Sequence, residues 1–173
     1  MLLYELIDQF YSSRDALGAI ELVPRANVPA PYSSLLDHDD HMTVTMEAYH
    51  DSLVNVQVLE TRRTEQSYWR KIVLHRQTDE APVLFGLVRL NWRYLSDLVR
   101  AEIESCKTPL GRILIKHNLM RHIELLDLWH VRPSTELAEY LGSDEPTYGR
   151  TAIIHVEKEP AIELFEIAAP VAT

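Results

Sequence analysis

Tyr68-Trp69-Arg70-Lys71-Ile72-Val73-Leu74-His75-Arg76 is followed by Gln77-Thr78-Asp79-Glu80-Ala81-Pro82 and then by Val83-Leu84-Phe85-Gly86-Leu87-Val88-Arg89-Leu90-Asn91. Two β-branched and aromatic runs flank a polar stretch ending in proline, which predicts two strands joined as an antiparallel hairpin. Strand side chains alternate between faces, so Tyr68, Arg70, Ile72 and Leu74 share one face. Arg70 therefore projects where apolar core is expected. A buried guanidinium is costly unless it is paired or faces a polar cavity.

Before this hairpin, Val54, Val56 and Val58 alternate with Asn55 and Gln57, which predicts a half-buried strand starting near residue 53. On the other side, residues 92–106 return to helical spacing, with Leu95, Leu98, Val99 and Ile103 in register. Lys107-Thr108-Pro109-Leu110-Gly111-Arg112 then launches another helix, with Thr108 as N-cap and Pro109 in the first helical position. Its apolar set is Ile113, Leu114, Met120, Ile123 and Leu126. The N–H groups of Leu110 and Gly111 would point out of that helix end beside Lys107 and Arg112. This is either a carboxylate cradle or simply a well-capped helix.

A short helix is expected from Pro133-Ser134-Thr135 to Leu141, stopped by Gly142. A second hairpin follows, with strands over 151–156 and 161–168 about the turn Glu157-Lys158-Glu159-Pro160. At the other end, residues 2–18 read as a helix, 19–33 as an extended loop holding Pro24, Pro29 and Pro31, and 35–46 as a mixed stretch. The expected class is α+β: a single antiparallel β-sheet of about six strands with helices on one side, in one domain spanning 1–173.

The chain has 173 residues, 46% hydrophobic and 25% charged, and a net charge of −9 from 26 acids against 17 bases. That charge argues against general nucleic-acid binding, since phosphates reward a basic surface. Cys106 is the only cysteine, which excludes an intrachain disulfide and reads as a small buried thiol. No apolar run reaches the ~18 residues of a membrane span. Met1-Leu2-Leu3-Tyr4-Glu5 lacks the basic region of a signal peptide, so a cytoplasmic protein is expected, monomer or homodimer.

In the last strand, Ala161, Glu163, Phe165 and Ile167 share a face, so Glu163 also interrupts an apolar pattern. The bland alternatives are an Arg70–Glu163 ion pair or two faces open to water. The sharper one is a pocket in which Arg70 takes a carboxylate by a bidentate hydrogen bond and Glu163 handles a hydroxyl or proton. Glu166 lies on the opposite face and is the weaker candidate. Arg89 is expected to snorkel from the sheet edge, and Arg150 is open. Asp37-His38-Asp39-Asp40-His41 mixes metal-ligand types, but contiguous side chains diverge, and a solvated acidic loop is expected with no metal. No Gly-rich phosphate loop, Gly-x-Ser-x-Gly or Walker lysine is present.

Four segments resemble the chorismate pyruvate-lyases: His41-Met42-Thr43; Tyr68 to Leu74; Lys107 to Arg112 with Leu119-Met120-Arg121; and Tyr148-Gly149-Arg150 through Pro160 to Glu163-Leu164-Phe165. The resemblance spans about residues 35–170. It implies an antiparallel sheet with an internal cavity beneath helical flaps. It also implies cleavage of chorismate to 4-hydroxybenzoate and pyruvate with no cofactor and no metal. Carried over by motif, Arg70 would be catalytic and bind a carboxylate, helped by the Leu110 N–H and Gly111. Met42 would form the pocket wall, and Glu163 would be the second catalytic residue, on the ring hydroxyl. Expected partners are chorismate and 4-hydroxybenzoate, with no nucleic acid and no membrane. The alternatives are a related chorismate-using enzyme giving another hydroxybenzoate, and a non-catalytic aromatic-acid binding domain. The same fold serves as a sensor domain of transcription regulators. The absence of a DNA-binding segment before this domain and the presence of Arg70 and Glu163 weigh toward the enzyme.

Overall fold

The computed structural model describes residues 1–172. The hairpin forms as the sequence predicts: β3 (Ser67–Arg76) and β4 (Pro82–Asn91) pair antiparallel with Arg70 opposite Val88. β2 (Val54–Arg63) pairs on the outer side of β3. The second hairpin, β6 (Thr147–Val156) and β7 (Glu159–Ala168), joins the first through a β4–β7 pairing that sets Val88 opposite Leu164. With β1 (Gly18–Val23) and β5 (Arg121–Pro133) the sheet is antiparallel, of order β1-β5-β6-β7-β4-β3-β2.

The class is α+β on a single antiparallel sheet. It has seven strands rather than the six expected, and helices cover both faces rather than one. α1 (Leu2–Ile7) and α6 (Thr135–Leu141) pack with the odd-numbered residues Val73, Phe85, Phe165 and Ile167. On the even-numbered face, α2 (Tyr32–Leu36) and α3 (Met42–His50) pack against Ile72, Leu74 and Leu84. α4 (Asp97–Glu104) and α5 (Leu110–Lys116) cover Tyr68, Val88 and Leu164 on that same face.

The two strands that the sequence pattern does not place, β1 and β5, account for most of the misread chain. Residues 2–18 hold only one short helix. After Ile7 the chain turns, and Phe10 and Leu17 still reach the core, so apolar spacing persists without helix. β1 then takes residues assigned to a loop, because the prolines begin only at Pro24. β5 was masked by a bulge. Ile123 and Leu125 pair with Ile154 and Ala152, but the register shifts between Leu125 and Asp127, so that Leu128 pairs with Arg150 on the same face. An extra residue flips the alternation and leaves apolar residues at helix-like intervals. α5 accordingly ends at Lys116, and Asn118, at φ 49, takes the chain out of the helix. Residues 92–94 form a single 3-10 turn before α4, which Ser96 caps by accepting from the Val99 N–H.

Candidate functional site

A cavity lies between the even-numbered face of the sheet and the N-termini of α3 and α5. Arg70 and Ile72 on β3, Arg150 on β6 and Glu166 on β7 contribute to its floor, and Met42, Leu110 and Gly111 to its roof. Most of the remaining lining is aliphatic, including Val56, Val88 and Leu164. The space open to the centre of a water molecule is about 40 Å³, room for roughly three waters.

The roof depends on close approach of two helices. A Cβ built on Gly111 would lie 3.0 Å from Thr43 Oγ1 and 3.1 Å from His41 Cβ. Gly111 therefore admits the start of α3 rather than a ligand. Thr108 does not cap α5. Pro109 is the extended residue before it, and Leu110 is the first helical residue, whose N–H belongs to the turn with no intrahelical acceptor. Lys116 and His117 reach Glu102 of α4 at 2.9 and 2.7 Å, and Arg112 pairs with Glu47 of α3, so the roof helices are tied to one another.

Two buried arginines share the floor. Each guanidinium nitrogen of Arg150 has a partner. Its Nε donates to Glu166 Oε2 at 2.9 Å, Nη1 to the His38 carbonyl at 3.0 Å and Nη2 to the Asp40 carbonyl at 3.1 Å. This cation pins the 37–41 segment to the sheet by its backbone carbonyls, while the side chains of Asp39 and Asp40 stay exposed to water as expected. Arg70 is 1% exposed, and its Nε and Nη1 have no hydrogen-bond partner among the described residues. Burial pushes its guanidinium pKa down, against smaller opposing effects of Tyr68 and Cys106. Cys106 itself is half-buried, its Sγ 3.8 Å from the Tyr68 hydroxyl.

His41 stands at the cavity edge. Arg121 Nε donates to His41 Nε2 at 2.7 Å, which requires an unprotonated Nε2. Burial first, then the charges of Arg121 and Arg150, lower its pKa to about 4, so the ring is neutral near pH 7.

Of the residues expected at the site, Arg70, Met42, Leu110 and Gly111 meet at this cavity and Glu163 does not. Glu163 lies on the odd-numbered face, opposite Arg89 in the β4–β7 ladder and ion-paired with it, and Arg89 also faces Glu5 of α1 at 3.7 Å. Arg89 thus anchors α1 rather than leaving the sheet edge. The cavity carboxylate is Glu166, three positions on and therefore on the other side of the strand. Its partner Arg150, directly opposite in the β6–β7 register, was the available signal. Two charges on facing apolar positions of one hairpin complete each other.

No protein-family model matches the chain, and no curated protein matches it. Solved structures do. The effector domain of PhnF from Mycobacterium smegmatis superposes with a TM-score of 0.56 at 11% identity, over 75% of this chain and 88% of that one. The fold is chorismate lyase-like. A structure of PhnF from the same organism gives 0.53 at 11% identity, over 96% of this chain and 85% of that one. A looser likeness, 0.47 at 16% identity, is to the possible transcriptional regulator YydK from Bacillus subtilis subsp. subtilis str. 168. It covers 68% of this chain, which spans 59% of that protein. At these identities the likeness is one of fold. The expectation of a lyase is corrected: the better-matched structure is described as an effector domain, not as a lyase. Within the molecule, the carboxylate assigned to catalysis faces away from the cavity.

Proposed function

We propose that this domain is a non-catalytic effector domain that binds a small organic acid, with 4-hydroxybenzoate the first ligand to test. The observation that carries the reading is Arg70: a buried, unpartnered guanidinium on the floor of an otherwise largely apolar cavity. A carboxylate would supply the missing acceptors as a charge-assisted pair, with the Leu110 N–H a further donor from the roof, while the aliphatic walls take the ring. Space for roughly three waters means that an aromatic acid enters with outward movement of α3 and α5. Movement of these tied helices is the change that ligand occupancy would transmit. In a regulator, the net charge of −9 leaves DNA contact to a separate module.

Titration calorimetry of 4-hydroxybenzoate, against benzoate and other aromatic acids, tests this. Saturable binding is expected, and Arg70→Met should weaken it by about 2 kcal/mol or more, roughly 30-fold. Incubation with chorismate should release no pyruvate. Equal affinity of the Arg70→Met protein would remove Arg70 from the reading, and pyruvate release would end it.

A further inference from the structure

The charges around the cavity limit what it can hold. The fixed charges lining it are Arg70, Arg150 and Glu166. Arg150 and Glu166 form a buried pair at 2.9 Å and cancel. His41 is neutral near pH 7. One positive charge is left, that of Arg70. The outer groove beside His41 adds none in balance, because Arg121 there is accompanied by Asp39 and Asp40. Arg112, at the roof, is spent on Glu47.

We infer that the cavity selects singly charged organic anions over dianions, and that Glu166 is the residue that sets this limit. The inference rests on the reading of Arg70 as the ligand's anchor. A first anionic group meets Arg70. A second would be desolvated among aliphatic side chains with Glu166 as a charged neighbour and no free cation, and an unpaired buried charge is strongly disfavoured. Dicarboxylates, chorismate among them, and phosphate monoesters above their second ionisation fall in the excluded class. Monocarboxylates with a neutral body are admitted.

The test uses a pair matched in length and shape, the monomethyl ester of terephthalate (one charge) and terephthalate itself (two charges), with benzoate as reference. In the wild-type protein the monoester should bind at least about tenfold more tightly than terephthalate. Glu166→Gln keeps an acceptor for Arg150 and removes the negative charge, and it should narrow that ratio by about tenfold or more. A wild-type protein that takes terephthalate as tightly as its monoester overturns the inference, and so does a ratio unmoved by Glu166→Gln. If Glu166→Gln fails to fold, phenylphosphonate titrated into the wild-type protein decides. Its affinity should fall as pH rises through its second ionisation, benzoate serving as the control, and a flat profile overturns the inference. Failure of the underlying reading looks different: no probe binds, or Arg70→Met leaves benzoate affinity unchanged.

Discussion

Arg70 and Lys71 are neighbours on β3, both buried, and alternation sends them to opposite faces of the sheet. Beneath α1 and α6, Lys71 Nζ lies 3.2 Å from Glu60 and 3.8 Å from Glu136, donates to the Tyr11 oxygen at 3.3 Å and sits 4.7 Å from the centre of the Tyr11 ring. Burial and the adjoining Glu136 push the Tyr11 phenol pKa well up, so it stays neutral and its hydroxyl donates to that carboxylate. One step along the chain, Arg70 lacks partners for two of its nitrogens. The difference separates a face that is finished from a face that awaits something. The α1/α6 side pairs the cation it buries at Lys71, and the α2–α5 side leaves one open beside a cavity at Arg70.

Arg150 is the fully partnered arginine of the open face. If Arg70 is held for a ligand and Arg150 for structure, their removal should have opposite signs. Arg150→Met strands a buried Glu166 and two loop carbonyls. Denaturant unfolding should show a loss of about 3–5 kcal/mol. A loss below roughly 1 kcal/mol would mean that the two arginines do not differ in kind.

Arg70→Met should move the other way. The side chain makes no compensating bond through Nε or Nη1, and Met fills similar space without a charge to desolvate. Unfolding free energy should rise by about 1–3 kcal/mol while ligand affinity is lost, the trade-off expected where a site is kept unsatisfied for function. Destabilisation by this substitution would show that Arg70 is held by the fold itself.

How far the sequence foretold this follows from where alternation is unbroken. The four strands of the two hairpins were legible because β3 and β4 alternate cleanly over the residues that matter, and Arg70 stood out against that period. β5 was not, because the bulge at Leu125–Asp127 shifts its period midway. β1 was hidden by its position as an edge strand of mixed exposure beside prolines. Of the residues that the sequence singles out, Arg70, Met42, Leu110 and Gly111 line the cavity, while its carboxylate is Glu166 and not Glu163. The apolar face of Phe165 and Ile167 belongs to the α1/α6 side, and nothing local to one strand says which of its faces borders a cavity. Only the register with β6, which sets Arg150 against Glu166, does so.

Lys71 supplies the smallest effect and the cleanest control. Its carboxylate partners Glu60 and Glu136 have side chains 35% and 43% exposed, so water can replace the lysine once it is gone. Its Nζ sits over the rings of Phe10, Tyr11 and Tyr140, where a methionine thioether packs well. Lys71→Met should therefore cost only about 0.5–1 kcal/mol in chemical denaturation. Because the side chain lies on the far side of the sheet from the cavity, ligand affinity should stay within about twofold of wild type, the spread expected of uncoupled sites. A Lys71→Met protein that lost binding as Arg70→Met does would show that the two faces communicate through β3, and that the closed side of the sheet takes part in what the open side senses.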